Sequence, residues 1–141
     1  MAEFLILPPL VIGAIIGFYE LILIHRDEHF RGSHWLGHGI HAAIFAIVAT
    51  FCTMNAEWVY STFQFLQNVP FLDKVIVFQI AIGLVLMVKV HATSAVVKGT
   101  TGSTKGMKET WAHSFVVAAL VVLAPYIWPF IAPMLESYGI K

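Results

Sequence analysis

Four long apolar stretches, separated by short connections, constrain the possible folds of this chain more than any other feature of its sequence. They run approximately over residues 4–24, 35–59, 75–97 and 111–135. Each is long enough to cross about 30 Å of hydrocarbon at a helical rise of 1.5 Å per residue. Because backbone polar groups in lipid must pair internally, such stretches are expected to be helices. The pattern predicts an all-α polytopic membrane protein whose four transmembrane helices form an antiparallel bundle.

The composition agrees with one membrane domain over residues 1–141. Hydrophobic residues make up 59% of the chain and charged residues only 11%, and the mean hydropathy is +0.83. The formal net charge is zero and no dense basic patch is present, so nucleic acid is excluded as a partner and the lipid bilayer is the expected one. The single cysteine, Cys52, cannot form an intrachain disulfide.

The connections predict the orientation of the bundle. Residues 25–34 and 98–110 form polar loops, whereas residues 60–74 form a weakly polar loop that is expected at the membrane interface, with Trp58, Tyr60 and Phe63 as belt residues. The N-terminal stretch lacks the basic region of a secretory signal and is expected to be a retained span. Lysine and arginine are more frequent on the side of the first and third connections, which predicts a cytoplasmic location for these loops, both termini outside, and the cytoplasmic membrane if the source is prokaryotic. The residues counted are Arg26, Arg31, Lys98, Lys105 and Lys108 against Lys74 and Lys141.

One face of the first apolar stretch combines two glycines with a carboxylate. Gly13, Gly17 and Glu20 are separated by four and three residues, so they share a helix face. Small residues at this spacing allow a close helix approach, and we expect a homo- or hetero-oligomeric partner to use this face. Glu20 should then point into protein, where either a histidine site or an ion pair with Lys89 would accommodate it.

The last apolar stretch contains Pro125, Pro129 and Pro133 at four-residue spacing. Each proline removes a backbone donor, so the outer half of this helix is expected to bend or loosen. Two interpretations stay open: neighbouring helices accommodate a kinked end, or the segment moves or lines water.

Histidines are concentrated at one end of the predicted bundle. Five of the seven lie between residues 25 and 41. His34, His38 and His41 are offset by four and seven residues and form a stripe on one helix. At 1.5 Å per residue, several ionisable side chains fall within about 3 to 12 Å of the predicted cytoplasmic edge; they are Glu20, His38, His41, His91 and His113.

This convergence predicts a cofactor site, because four-helix bundles build metal and haem sites from inward side chains on facing helices. The cofactor is expected to be a transition metal (copper, iron or zinc) or haem b. The candidate cofactor ligands are His38, His41, His91 and His113, and the wider set of candidate metal ligands is Glu20, His29, His34, His38, His41, His91 and His113. The competing interpretation makes these histidines hydrogen-bonded structural groups or interfacial residues.

The histidine spacing resembles the histidine boxes of membrane di-iron hydroxylases and desaturases. HRDEH at residues 25–29 and HWLGH at 34–38 are HxxxH, and HGIH at 38–41 is HxxH. The resemblance covers under one fifth of the chain. It implies iron ligation by these histidines, but the chain has no HxxHH pair and His91 and His113 are isolated, so a complete site of that kind is not expected.

Three functions stay open from the sequence. The first is a metal- or haem-binding membrane protein within a larger complex. The second is an accessory subunit of a membrane complex without a cofactor. The third is a proton-coupled channel or carrier, for which the outer half offers few polar residues beyond Asn55, Glu57 and Gln79. No motif identifies a reaction, so the sequence does not decide whether the protein is an enzyme.

Overall fold

The structure, a computed structural model, contains helices and no strand over its described residues, and so confirms the all-α prediction. It describes residues 2–26, 35–100, 111–137 and 139, with side chains described within 2–22, 40–92 and 111–137 and at 139. A short 3₁₀ helix, Gln64–Asn68, follows α3. The α-helices are α1 (Leu7–Arg26), α2 (Trp35–Met54), α3 (Ala56–Thr62), α4 (Val75–Thr100) and α5 (Trp111–Ser137).

Two of the described helices are long and apolar enough to cross a membrane. These are α4, over Val75–Ala92, and α5, over Trp111–Ser137. A third crossing results if α2 and α3 are counted as one bent span, and the described apolar part of α1, Leu7–Ile22, is shorter. The protein is therefore compatible with an integral membrane location, and the full set of four crossings stays a prediction.

The helices alternate in direction, which brings four helix ends together. We call the end where α1 and α4 finish and α2 and α5 begin the inner end, and the opposite end the outer end. The most extensive packing joins α1 to α2, followed by α4 to α5, and α2 also contacts α4 and α5. Between the two ends lies an apolar core of mostly small or β-branched side chains, which includes Ile12, Ile16, Ala46, Ala49, Leu86, Val90, Val117, Val121 and Ala124.

The glycine face of α1 packs against α2 of the same chain. A Cβ atom added to Gly13 would lie 2.9 Å from the Cα of Ile47, and one added to Gly17 would lie 3.1 Å from the Cα of Ala43. These glycines therefore permit the close approach that their spacing predicts. Within the chain, α2 occupies this face, and the expected oligomeric partner stays a prediction; the spacing alone does not distinguish a helix of the same chain from a helix of a partner.

The second predicted span, residues 35–59, is broken at Asn55. Helix α2 ends at Met54, and α3 departs at 71° to it. The buried Asn55 side chain holds the break: its Oδ1 accepts the Leu5 N–H at 2.6 Å, and its Nδ2 donates to the Leu5 carbonyl at 2.9 Å and the Phe51 carbonyl at 3.1 Å. Asn55 thus attaches the segment that precedes α1 to the end of α2.

The aromatic side chains of the outer connection, residues 60–74, differ in how exposed they are. Phe63 and Phe71 are exposed, as expected for an interfacial loop. Tyr60 is buried instead: its hydroxyl donates to the Leu72 carbonyl, and its ring packs edge-on against Phe78. Tyr60 is therefore a packing residue of this loop, and its assignment to the aromatic belt is wrong.

Helix α5 continues through all three prolines to Ser137. Pro125 has no N–H, so the Val121 carbonyl four residues earlier lacks its helical donor. The Thr53 hydroxyl of α2 lies 3.0 Å from that carbonyl and 3.1 Å from the Thr50 carbonyl of its own helix, so its one hydrogen is shared between the two acceptors. At Pro125, a neighbouring helix therefore supplies the missing donor, which supports the interpretation of a proline-containing helix accommodated by its neighbours.

Candidate functional site

The inner end contains a fully buried carboxylate. Glu20 of α1 is 0% exposed, because it lies on the face that Gly13 and Gly17 press against α2. Its Oε2 is hydrogen-bonded to Nε2 of His113, which is in the first turn of α5. The predicted inward orientation of Glu20 is thus found, with an imidazole as its partner.

His113 lies at the edge of the bundle rather than outside it. Its side chain is 16% exposed, and its ring centroid lies 6.2 Å from that of Tyr19, at an interplanar angle of 29°. Tyr19 precedes Glu20 on α1, so two consecutive residues of α1 contact the same imidazole. This arrangement fixes the imidazole between α1 and α5 instead of letting it extend to the interface.

Three buried polar atoms of the inner half have no hydrogen-bond partner within the described part of the chain. They are Glu20 Oε1, His91 Nδ1 and Ser114 Oγ. An unpaired buried polar group costs about 1–3 kcal/mol, and more when it is charged. Such groups are rare in folded proteins and often mark functional positions.

His91 of α4 is attached to the same turn of α5 that contains His113. Its ring stacks on Trp111, with centroids 3.7 Å apart and planes at 16°. Trp111 is two residues before His113, so imidazoles from α4 and α5 both lie at the inner end. The sequence places His91 and His113 at this depth, but it does not predict the stacking on Trp111.

Two other ionisable residues of the inner end, His41 and Lys89, lie near the ring of Phe45 of α2. His41 is exposed, and its ring lies 6.2 Å from that of Phe45. The Lys89 ammonium lies 5.7 Å from the centroid of the same Phe45 ring. The alternative ion pair between Glu20 and Lys89 is therefore wrong, because Glu20 Oε2 bonds His113 and its Oε1 has no partner.

The remaining predicted ligands fall outside the described side chains. His38 belongs to α2 by its backbone, whereas His29 and His34 lie outside the described residues altogether. Among the side chains that are described, no group of three or more His, Cys, Asp or Glu residues lies together as a metal site. Of the predicted site, the structure brings Glu20 and His113 into contact and places His91 on the neighbouring helix.

The outer half contains a polar network that the sequence pattern does not predict. The Tyr126 hydroxyl donates to Gln79 Oε1 at 3.0 Å, and Gln79 Nε2 donates to the Thr53 carbonyl at 2.9 Å. These contacts join α5 to α4 and α4 to α2. A signal was present in the sequence: a proline inside a helix leaves a carbonyl without a donor, so a hydroxyl such as that of Thr53 can be expected nearby.

A buried carboxylate in contact with an imidazole can do one of two things chemically. It can share a proton with the imidazole, or it can supply oxygen and nitrogen donors to a cation. Comparisons with protein-family models, with curated proteins and with solved structures found no match to this chain. The choice between these chemistries therefore depends on the geometry of the site.

Proposed function

We propose that this chain is a four-span integral membrane protein, with both termini outside, that binds a transition-metal ion at its inner end through Glu20 and His113. The observation that carries the proposal is the Glu20 carboxylate, which is 0% exposed, bonded to imidazole through one oxygen and without a partner on the other. We expect this site to serve a larger membrane complex.

The free energy of a buried charge supports a cation at this position. Ionisable groups inside a membrane are expensive and by default mark function. One hydrogen bond from a neutral imidazole offsets only part of the desolvation of an ionised carboxylate. A metal ion that contacts the bare Oε1 would offset the remainder, and a mixed set of imidazole nitrogen and carboxylate oxygen suits iron, zinc or copper.

Further ligands have to come from the other two helices. His91 of α4 stacks on Trp111 and has a buried Nδ1 without a described partner. His38 precedes the buried Ala42 by four residues in α2, which is about one helical turn. A set made of Glu20, His38, His91 and His113 would take one ligand from each helix. Haem b is the weaker choice, since a haem iron is held by two imidazoles, whereas the described contact pairs one imidazole with a carboxylate.

Two alternatives are tested together with this proposal. An accessory subunit without a cofactor would use the histidines only as hydrogen-bonding groups. A proton-coupled carrier would use Glu20 and His113 as a proton site and the outer polar network as its continuation. The apolar core that includes Ala46, Ala49 and Val121 lies between the two ends and gives no polar path through the described bundle.

Metal analysis of purified variants tests the proposal. The protein is solubilised gently and purified without immobilised nickel, and its metal content is measured by plasma mass spectrometry. We expect near-stoichiometric iron, zinc or copper in the wild type and at least tenfold less in Glu20→Gln and His113→Gln. His41→Gln is the matched control, because His41 is an exposed histidine of the same end, and it should keep the metal.

Other results of the same measurement would contradict the proposal. A wild type without metal, or a Glu20→Gln variant with full occupancy, would contradict the metal site. Loss of metal in His41→Gln together with full retention in Glu20→Gln and His113→Gln would place the ligand set on the exposed face of α2 instead.

A further inference from the structure

A polar cavity at the outer end is separate from the inner site. Its volume is about 400 Å³, and it lies where the segment before α1, the α2–α3 break, α4 and α5 meet. That size falls within the usual range of small-molecule sites, which is roughly 300–1,000 Å³. Its lining residues include Glu3, Asn55, Glu57, Trp58, Gln79 and Tyr126.

The floor of the cavity is held in place by hydrogen bonds between helices. Gln79 is 4% exposed and is held by Tyr126 and by the Thr53 carbonyl. Asn55 is 3% exposed and uses both amide hydrogens on the Leu5 and Phe51 carbonyls. Because these contacts join four segments of the chain, the cavity is organised before any ligand enters.

The charged side chains among the described lining residues are both acidic. Glu3 and Glu57 are the charged residues among those that line the cavity, and no Lys, Arg or His is among them. The hydroxyl of Tyr126 and the amide of Asn55 donate to groups of the protein itself. The carboxylates therefore leave acceptors for a ligand that donates hydrogen bonds and carries positive charge.

The remaining walls are apolar or aromatic. Leu5, Met54, Val75 and Pro125 contribute hydrocarbon, and the aromatic residues Trp58 and Tyr126 also line the cavity. A bare metal ion would fill only a small part of about 400 Å³. An ammonium group with an apolar body matches both parts of the lining.

We infer that the outer cavity is a binding site for a small amphipathic organic ammonium ion, with Glu3 and Glu57 as its charge partners. The ammonium group lies between the two carboxylates, and the apolar body packs against Leu5, Val75 and Trp58. The inference does not depend on the metal site, because the two sites share no residue.

The test compares an amine with its neutral isostere on the full chain in detergent. Benzylammonium and benzyl alcohol have nearly the same shape and differ in charge. Saturable binding is measured by isothermal titration calorimetry, with empty micelles subtracted. We expect the wild type to bind benzylammonium with a Kd of about 1 mM or tighter and to bind benzyl alcohol at least tenfold more weakly.

Variants locate the binding within the cavity. The double variant Glu3→Gln/Glu57→Gln should weaken benzylammonium binding at least tenfold; both side chains are exposed, so the fold should tolerate the change. Glu136→Gln is the matched control, since Glu136 is an exposed glutamate of α5 that does not line the cavity. Val75→Phe should weaken binding by filling the cavity without changing its charge.

Three results would overturn the inference. The first is the absence of saturable binding by the wild type up to ~10 mM benzylammonium. The second is equal binding by the double variant, which would place the cation elsewhere. The third is equal affinity for benzyl alcohol, which would mean that the carboxylates do not recognise the ligand.

Discussion

Both ends of this bundle contain buried polar side chains, but the two ends differ in whether these side chains have hydrogen-bond partners. At the outer end, Asn55 and Gln79 have partners in other segments of the chain. At the inner end, Glu20 and His91 each keep a buried atom without a partner in the described residues. The buried Asn55 and Gln79 side chains have the arrangement expected of a structural joint, and the inner end has that of a metal site.

The buried polar groups of the outer network are therefore expected to stabilise the fold, whereas those of the inner end are expected to bind a ligand. A fully satisfied network makes a fold specific and rigid, whereas a partly satisfied one destabilises it unless a ligand completes it. Substitutions of the buried, hydrogen-bonded residues Asn55, Thr53 and Gln79 should therefore change mainly stability. Substitutions at the inner end should change mainly the binding of a ligand.

The largest effect on stability is expected at Asn55. Asn55→Ala removes three hydrogen bonds and leaves the Leu5 N–H and carbonyl without partners at a half-buried position. We expect a loss of about 3 kcal/mol in the free energy of unfolding, measured by denaturant titration in mild detergent. Glu57→Gln, an exposed change two residues away, should stay within about 0.5 kcal/mol of wild type. An unchanged Asn55→Ala variant would show that the 71° break does not depend on this side chain.

A smaller effect on stability is expected at Thr53, because its hydroxyl donates to the Val121 carbonyl that Pro125 leaves without a helical donor. Thr53→Val keeps the shape and removes the hydroxyl, so the Val121 carbonyl loses its donor at 3.0 Å. We expect a cost of about 1–2 kcal/mol.

The control is the same Thr53→Val substitution made in a chain that also carries Pro125→Ala. In a Pro125→Ala chain the helix again offers an N–H to the Val121 carbonyl, so Thr53→Val should cost at least about 0.5 kcal/mol less there. Equal costs in the two backgrounds of this double-mutant cycle would disprove the link between Thr53 and Pro125.

The smallest effect on stability is expected at Glu20, although Glu20 is as buried as any residue of the outer network. Glu20→Gln keeps the volume, removes the charge and still allows a hydrogen bond with His113. We expect the metal-free protein to change by less than about 1 kcal/mol. Wild type should become more stable when metal is added, since a ligand that binds only the folded state stabilises it. A Glu20→Gln variant that gained the same stabilisation would remove the contrast between the two ends.

The sequence predicted the helices and the buried position of Glu20 because both depend on local spacing. Gly13, Gly17 and Glu20 share a face by their offsets alone, and the apolar stretches mark the helices by length. The four histidine-bearing helix ends were also placed at one end of the bundle by alternation of direction.

Other features depend on contacts that spacing cannot predict. Asn55 bonds Leu5 from 50 positions away, so the break between α2 and α3 is not visible in the apolar pattern of residues 35–59. The histidine stripe of α2 predicts His41 as an inward ligand, but the buried face of α2 belongs to Ala42, Ala46 and Ala49, and His41 is exposed. Alanines occupy this face because their small side chains allow α1 and the other helices to approach α2 closely.

The most direct test of the inner site is X-ray absorption spectroscopy at the edge of whichever metal co-purifies with the protein. The site built on Glu20 and His113 predicts a first shell of nitrogen and oxygen donors at about 2.0–2.2 Å, with imidazole scattering that decreases in His113→Gln and is unchanged in His41→Gln. A sulfur shell, which would implicate Cys52, or a spectrum that His113→Gln leaves unchanged would contradict the account.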